Sequence, residues 1–257
     1  MRLLSAVLAG LLCLLPLRSA TAQALVAAAS DLQFALTELA EAFREAGGSE
    51  LRLVFGSSGN LSRQIEKGAP FELFLSADES YVARLVEAGL TRDEGEIYAH
   101  GHLALLLPPN SPLALDASLK KLAQAAASGE ITRFAIANPE HAPYGRAAKQ
   151  ALEAASAWEA LQPALVLGEN VSQAAQFAVS GSAQGGLVAF SLVAAPSFEG
   201  RGKHVMIPPE TYVPLRQRMV LTRRAGPDAE AFYDYLHSPE AREIFAAYGF
   251  ELPEEAR

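Results

Sequence analysis

Residues 54–66, VFGSSGNLSRQIE, contain the junction that decides the fold. A short apolar run ends in a Gly-Ser-Ser-Gly turn, and apolar residues then recur at helical spacing. This pattern is typical of a buried strand that leads through a turn into an amphipathic helix. The turn can be only a flexible connection, or it can be one wall of a pocket whose hydroxyls and backbone N–H groups face a ligand.

The same alternation continues along the chain and predicts an α/β fold with helices on both faces of the sheets. Most of the apolar runs are four to six residues long and apolar on both faces, as buried parallel strands are. The predicted strands are 24–29, 51–55, 72–76, 102–107, 133–137, 164–167, 186–190, 204–207 and 217–222. The predicted helices follow Ser30 as far as Gly47 and then cover 59–67, 78–88, 116–128, 143–156, 171–180, 228–237 and 239–247.

The first 22 residues differ from the rest and predict a cleaved secretory signal peptide, with a mature start near Gln23. A basic start precedes a long apolar run, and Ala20-Thr21-Ala22 offers a small-x-small cleavage site. The sole cysteine, Cys13, lies inside the apolar run, so the mature chain contains none. A lipoprotein is disfavoured because a large residue precedes that cysteine. An exported chain without disulfides must be stabilised by its core.

The charge of the chain excludes two classes of partner. The formal net charge is −8, and it is −10 once Arg2 and Arg18 leave with the signal peptide. An acidic protein is a poor candidate for binding nucleic acid or an anionic membrane surface. If the protein binds an anion, it must do so through local groups, against its own net field.

Four predicted strand ends run into small or capping residues and then into a helix. In open α/β sheets, ligands bind outside the carboxyl ends of strands, where helix N-termini present free N–H groups. Each end taken alone is explained by ordinary helix capping and turn chemistry. Together they predict a site for a small anion, held from two sides. The four ends are AAASDLQ (27–33), FGSSGNLS (55–62), ANPEHAPYGRAAKQ (137–150) and GENVSQAA (168–175).

Motifs of common enzymes are missing from the sequence. The Gly-Ser-Ser-Gly turn is one residue too short for a G-x-S-x-G nucleophile elbow, and there is no G-x-G-x-x-G or Walker A loop. His100 and His102 would share one face of a strand, but the sequence offers no third ligand for a metal, which favours an ordinary surface pair. His141 follows Glu140 without the spacing of a zinc-protease helix. These observations predict a binding protein that is not an enzyme and that holds no metal cofactor.

Five segments resemble the periplasmic molybdate-binding proteins of bacterial ABC transporters. The resemblance covers about residues 25 to 250, in order. It implies a two-lobed, hinged type II periplasmic-binding-protein fold, in which each lobe is a mostly parallel sheet flanked by helices. It also implies molybdate or tungstate as ligand, no cofactor, and a permease in the inner membrane as partner of a monomeric periplasmic protein. The segments are AAAS, FGSSGNLSRQIEKGAPFELFLSAD, ANPEHAPYGRAAKQAL, GENVSQAAQFAVSGSAQGGLVAFS and FYDYLHSPEAREIFAAYGF.

Two chain crossings, near 100–112 and 212–224, divide the mature chain into lobes. Lobe 1 is predicted to contain residues 23–104 and 210–257, and lobe 2 residues 105–209. Two crossings would form a two-segment hinge.

The resemblance also implies which residues hold the anion, without a counter-charge. Matched motif by motif, the ligand contacts are Ser30, Ser58, Tyr144 and Val171. Possible secondary contacts are Ser57, Asn170 and Ala189. Some members of the family carry a tyrosine on the later strand, where this chain has Ala189, and alanine where this chain has Tyr144. The sequence therefore predicts a phenolic contact from Tyr144 and disfavours Phe190 as a contact. It leaves open whether the Tyr144 hydroxyl or its backbone N–H is the main donor.

Several alternatives remain open from the sequence. The ligand could be sulfate, thiosulfate or an organic acid, and the protein could be an exported serine hydrolase or a sensor domain that has lost its ligand. Arg63 and Arg146 lie near two of the helix starts, and we expect both to face solvent. An arginine inside the pocket would favour a phosphate or carboxylate ligand instead.

Overall fold

The computed structural model describes residues 23–253, so the predicted signal peptide lies outside the described residues. Within that range, ten strands form two five-stranded sheets. The strands are β1 (Ala24–Ala29), β2 (Leu51–Gly56), β3 (Leu73–Ser76), β4 (Glu96–Gly101), β5 (Leu103–Leu107), β6 (Phe134–Ala137), β7 (Leu165–Gly168), β8 (Gly186–Ala189), β9 (Lys203–Met206) and β10 (Leu215–Leu221).

The two sheets have matching topologies. The first has the order β2-β1-β3-β10-β4, and the second has the order β7-β6-β8-β5-β9. In each sheet the first three strands pair in parallel, and the fourth pairs antiparallel with both of its neighbours. Four strands of each sheet therefore run one way, and only β10 or β5 runs the other way. This mostly parallel α/β architecture confirms the predicted fold class.

Helices cover the sheets and bury the apolar stripes that the sequence shows. In the first sheet, Val26 and Ala28 of β1 belong to the cluster that contains the buried side of the first helix, and Ala27 belongs to the opposite cluster. Alternation of this kind follows from the two-residue period of a strand that is buried on both faces. The α-helices are α1 (Gln33–Glu45), α2 (Ser58–Glu66), α3 (Glu79–Glu87), α4 (Lys120–Ala127), α5 (Pro143–Ala154), α6 (Trp158–Leu161), α7 (Val171–Val179), α8 (Phe190–Val193), α9 (Pro227–Tyr235) and α10 (Pro239–Ala247).

Sheet membership changes twice along the chain, between β4 and β5 and again between β9 and β10. Both changes lie close to the predicted crossings. The hinge and the lobe boundaries, 23–104 with 210–257 and 105–209, stay predictions of the sequence.

All nine predicted strands have counterparts in the structure, but β4 was missed. Its sequence, EIYAHG, mixes polar and apolar residues, and it pairs with β10, which lies more than a hundred residues away in the chain. The short helices α6 and α8 were also missed, because one helical turn shows no periodicity. Across residues 23–253, no helix has both the length and the hydropathy needed to span a bilayer.

Candidate functional site

A small cavity lies where the carboxyl ends of strands from both sheets face each other. Its volume is about 180 Å³, including its open side. The first sheet contributes the ends of β1 and β2 and the residue after β3. The second sheet contributes the starts of α5 and α7, which follow β6 and β7. The lining residues are 29–31, 56–58, 77, 142–144 and 171.

Ser30 follows β1, is 3% exposed and lines the cavity. Its Oγ accepts a hydrogen bond from the backbone N–H of Ser172 on α7, at 3.3 Å, and its backbone oxygen accepts one from the Ser172 hydroxyl, at 3.1 Å. The Ser30 hydroxyl therefore already accepts one bond and keeps its own proton to donate. These bonds also join the first sheet to a helix of the second.

Ser58 is the first residue of α2 and is fully buried. Its Oγ accepts the backbone N–H of Ala77 at 3.0 Å, which again leaves the hydroxyl proton available. The next residue, Gly59, donates its N–H to the backbone oxygen of His141 at 3.0 Å. A Cβ at Gly59 would lie only 2.6 Å from that oxygen. The glycine therefore permits a close approach between the first half of the molecule, which contains the first sheet, and the second half, which contains the second sheet.

Tyr144 and Val171 line the opposite side of the cavity, as the second residue of α5 and the first residue of α7. At these positions a backbone N–H has no acceptor within its own helix, and the positive end of the helix dipole is close by. The Tyr144 hydroxyl donates to Asp31 Oδ2 at 3.1 Å and accepts from Gln217 Nε2 at 3.3 Å. The hydroxyl is thus engaged within the protein, whereas the backbone N–H of the same residue lies in the first turn of α5. The phenolic contact to a ligand stays a prediction of the sequence.

Asp31 lines the cavity and was not identified from the sequence. The residue is 1% exposed, and its Oδ2 accepts hydrogen bonds from Gln217 at 2.6 Å and from Tyr144. Its Oδ1 is buried and has no hydrogen-bond partner among the described residues. Desolvation raises the pKa of Asp31 from 3.8 to about 6, and the bonds from Gln217 and Tyr144 only partly counter that rise. Its position directly after Ser30, at the end of a predicted strand, could have identified it as a candidate site residue.

Ser57 also lines the cavity, but its hydroxyl is paired with a histidine. Ser57 Oγ lies 2.9 Å from His141 Nδ1, and His141 Nε2 lies 3.6 Å from Glu169 Oε2. When the imidazole proton is on the nitrogen that faces Glu169, the other nitrogen accepts the Ser57 hydroxyl proton. In that arrangement Ser57 donates to His141 and has no proton left for a ligand.

The other residues named from the sequence lie outside the cavity lining. The Asn170 side chain accepts the N–H of Gln173 at 3.0 Å and caps α7, and Ala189 is buried at the end of β8. His102 Nε2 lies 3.5 Å from Glu251 Oε2, beside His100, whose backbone pairs with Glu251. Within residues 23–253, no group of three or more His, Cys, Asp or Glu side chains is arranged to hold a metal ion.

Arg63 and Arg146 differ in their exposure to solvent. Arg63 is exposed, as expected, and donates to Asn60. Arg146 was expected to face solvent, but it is half-buried and pairs with Asp78 of the first half. It also donates to the Tyr81 hydroxyl at 2.7 Å and lies over the Tyr81 ring. Neither arginine lines the cavity.

Comparisons with known proteins agree with the fold. The family model for bacterial extracellular solute-binding proteins matches residues 24–251. The chain is 36% identical to the molybdate-binding protein ModA of Rhodobacter capsulatus, over 92% of this chain and 91% of that protein. A solved structure, the periplasmic molybdate-binding protein of Azotobacter vinelandii, superposes with a TM-score of 0.81 at 30% identity, covering 90% of this chain and 100% of the other. The sulfate-binding protein SubI of Mycobacterium tuberculosis superposes with a TM-score of 0.73 at 15% identity, over 91% of this chain and 88% of the other, which shows a shared fold alone.

The buried carboxyl of Asp31 should make stability depend on pH. Because its pKa is raised in the folded protein, its contribution to stability is complete below pH 3.8 and is lost as the pH rises through about 6. The shift corresponds to about 3 kcal/mol, at about 1.36 kcal/mol per pKa unit. We therefore expect Asp31→Asn to raise the free energy of unfolding by about that amount at pH 8 and by little at pH 4, in urea titrations.

The matched control is Asp234→Asn, since Asp234 is exposed on α9. This control should leave the free energy of unfolding nearly unchanged at both pH values. An Asp31→Asn protein that is no more stable than the parent at pH 8 would contradict the prediction.

Proposed function

The chain belongs to the bacterial extracellular solute-binding proteins, and from this premise we propose that it captures molybdate or tungstate in the cavity between its two sheets. It then delivers the anion to the permease of an ABC importer in the inner membrane. The proposal is supported by the similarity to proteins named as molybdate-binding and by the donor groups of the cavity.

One observation carries the proposal: hydroxyls and backbone N–H groups from both halves converge on one cavity that no lysine or arginine among the described residues lines. Ser30 and Ser58 each accept a backbone N–H and keep a proton to donate. Ser58, Tyr144 and Val171 lie in the first turns of α2, α5 and α7. Such a site binds an anion through fixed dipoles in place of a counter-charge.

The magnitudes of these interactions suit a dianion. A hydrogen bond to a charged group contributes about 1.5–3 kcal/mol, and a helix N-terminus adds about 0.3–1 kcal/mol or more where it is buried. Several such contacts together can offset the dehydration of molybdate. Because the donors are already oriented by bonds within the protein, little order is lost when the anion arrives.

Selection among tetrahedral anions follows from protonation and size. Molybdate, tungstate and sulfate carry no proton near neutral pH, so a site made of donors suits all three. Phosphate carries a proton there, and burying that proton costs about 1–3 kcal/mol unless an ionised Asp31 accepts it. Sulfate has shorter bonds to oxygen, so a rigid cavity sized for molybdate stretches its hydrogen bonds. Molybdate and tungstate are nearly equal in size and are bound alike.

The remaining features of the proposal concern the whole protein. Residues 1–22 act as a cleaved signal peptide, and the mature protein works in the periplasm as a monomer without a cofactor. Ligand contacts from both halves favour the closed arrangement, since only that arrangement makes both sets of contacts. The permease recognises the closed form.

A serine hydrolase is the second candidate, because Ser57, His141 and Glu169 form a serine–histidine–carboxylate chain. Three observations disfavour it. Ser57 belongs to the half with the first sheet and His141 to the other half, so opening the site for a substrate separates them. Ser57 is 4% exposed, and the cavity of about 180 Å³ leaves little room for an ester. We propose that this chain of contacts holds the halves together.

A panel of anions tests the proposed function. Calorimetry of the mature protein should show tight binding of molybdate and of tungstate, with dissociation constants within about tenfold of each other, because the two anions offer the same acceptors. Sulfate and phosphate should bind at least about a hundredfold more weakly. Tighter binding of sulfate than of molybdate, or no binding of any of these oxyanions, would contradict the proposed function.

Single serine substitutions test the named contacts. We expect Ser30→Ala and Ser58→Ala each to weaken molybdate binding by tenfold or more, the loss of about 1.5–3 kcal/mol for a hydrogen bond to a charge. Circular dichroism should show that both variants fold. Ser80→Ala is the matched control, since Ser80 is exposed on α3 and lies outside the cavity lining. Unchanged affinity in both variants would exclude these hydroxyls from the site.

Gly59→Ala tests closure without removing a donor. The added Cβ would lie 2.6 Å from the His141 backbone oxygen, which belongs to the other half, so it should hold the two halves apart. We expect molybdate affinity to fall about tenfold, as for an overpacked contact of 1–3 kcal/mol. The ligand-free protein should be as stable as the parent or more so, because alanine favours a helix over glycine.

Gln64→Ala, on the exposed side of the same helix, should change neither quantity. If Gly59→Ala keeps full affinity, the close approach at Gly59 is not part of the ligand-bound form.

A further inference from the structure

Asp31, which lines the cavity, has one carboxyl oxygen that accepts two hydrogen bonds and one that accepts none from the described residues. Asp31 Oδ2 accepts from Gln217 Nε2 at 2.6 Å and from the Tyr144 hydroxyl at 3.1 Å. Asp31 Oδ1 is buried and has no partner among the described residues, although Asp31 lines the cavity. The missing partner must be a group that the described residues do not supply, and an oxygen of an anion bound in this cavity is such a group. Because an ionised carboxylate can only accept hydrogen bonds, it could not bond to that oxygen.

The surroundings of Asp31 do not neutralise its charge. The titratable groups that face it are Tyr144 on α5 and Tyr98 on β4, and the pKa of each is raised by burial and by Asp31, so both stay neutral. Gln217 on β10 is neutral, as is Ser191 on α8, which donates to the Asp31 backbone oxygen at 2.8 Å. His141, near the cavity, pairs with Ser57. A negative carboxylate beside a dianion would therefore repel it without compensation.

We propose, on the basis of the proposed function, that Asp31 binds the oxyanion as a neutral carboxylic acid, taking one proton from solvent and donating it from Oδ1 to an anion oxygen. The proton adds to Oδ1 because the two donors on Oδ2 already occupy that oxygen. No protein group contacts molybdenum or tungsten in this arrangement, since the contacts are all to oxygen. Burial already favours the neutral form in the free protein, with a pKa of about 6, and a dianion favours it further.

In this proposal, Asp31 contributes to the preference for molybdate and tungstate over phosphate. A protonated carboxyl is one more donor, which suits an anion whose four oxygens all accept. The opposite arrangement is an ionised Asp31 that accepts the proton of phosphate, and this arrangement would reverse the preference. The two arrangements differ in proton uptake, because only the first consumes a proton from solvent when the anion binds.

Calorimetry on the mature protein measures this uptake. Molybdate is titrated at pH 8 in buffers of different ionisation enthalpy, and the dependence of the heat on the buffer gives the protons taken up. We expect about one proton per anion at pH 8 and fewer at pH 5, with affinity falling about tenfold per pH unit between pH 7 and 8.5. An infrared difference spectrum at pH 8 should gain a protonated-carboxyl band when molybdate is added.

Substitutions assign the proton to Asp31. The Asp31→Asn protein carries a permanent donor of the same shape, so it should take up no proton, bind more tightly than the parent at pH 8.5 and show a flat pH profile. The Asp31→Ala protein should bind at least tenfold more weakly than Asp31→Asn at every pH. The His141→Gln protein should keep the proton uptake, which separates Asp31 from the other titratable group near the cavity.

Each contrary result has a distinct meaning. Proton uptake that is absent in the parent, or that persists in Asp31→Asn, would overturn the proposal while molybdate binding stands. Tighter binding of phosphate than of molybdate, without proton uptake, would show that Asp31 is an ionised acceptor. If the parent protein binds neither molybdate nor tungstate at any pH, the proposed function fails and this inference fails with it.

Discussion

The proposed site depends on two serine hydroxyls that are held in place by backbone N–H groups. The Ser172 amide donates to Ser30, and the Ala77 amide donates to Ser58, so each hydroxyl is fixed before a ligand arrives. A free serine rotates and would lose that freedom on binding, whereas these two have already lost it on folding. The strand ends supply this order, because they bring several first-turn amides to one point without placing a cation there.

The contacts between the two halves combine a backbone hydrogen bond with an ion pair. Gly59 donates to the His141 oxygen, and Arg146 of α5 reaches Asp78 and Tyr81 of the first half. The Arg146 contacts are partly exposed and individually modest, so they can hold the halves together without making the closed form permanent. An importer needs this balance, since a receptor that never opens cannot release its ligand.

The sequence predicted the fold well because the signals are local. Apolar runs and capping residues recur at each strand-to-helix junction, and they located nine strands and the main helices. It also named Ser30, Ser58, Tyr144 and Val171, which line one cavity in the structure. The sequence did not predict features that depend on contacts between distant segments. β4 pairs with β10 and, at His100, with Glu251, and the Ser57–His141 pair joins residues 84 positions apart.

Asp31 shows a different reason for failure. Next to Ser30, an aspartate is an ordinary residue for the first turn of a helix, and sequence alone does not show that it is buried. Only Gln217 and Tyr144, more than a hundred residues further on, explain how a carboxyl is tolerated there. The direction of the Tyr144 hydroxyl could not be predicted for the same reason, because its partner was not recognised.

The position of β10 has a consequence for how the chain acquires its structure. β10 lies between β3 and β4, yet it begins at Leu215, after the whole second sheet has passed. When only the first hundred residues have emerged from the ribosome, the inner strand β10 is therefore still missing. The edges of β3 and β4 that would face it are unpaired. Complete pairing of the amino-terminal half must wait for nearly the entire polypeptide, which delays folding and lengthens the time for which the nascent chain stays extended.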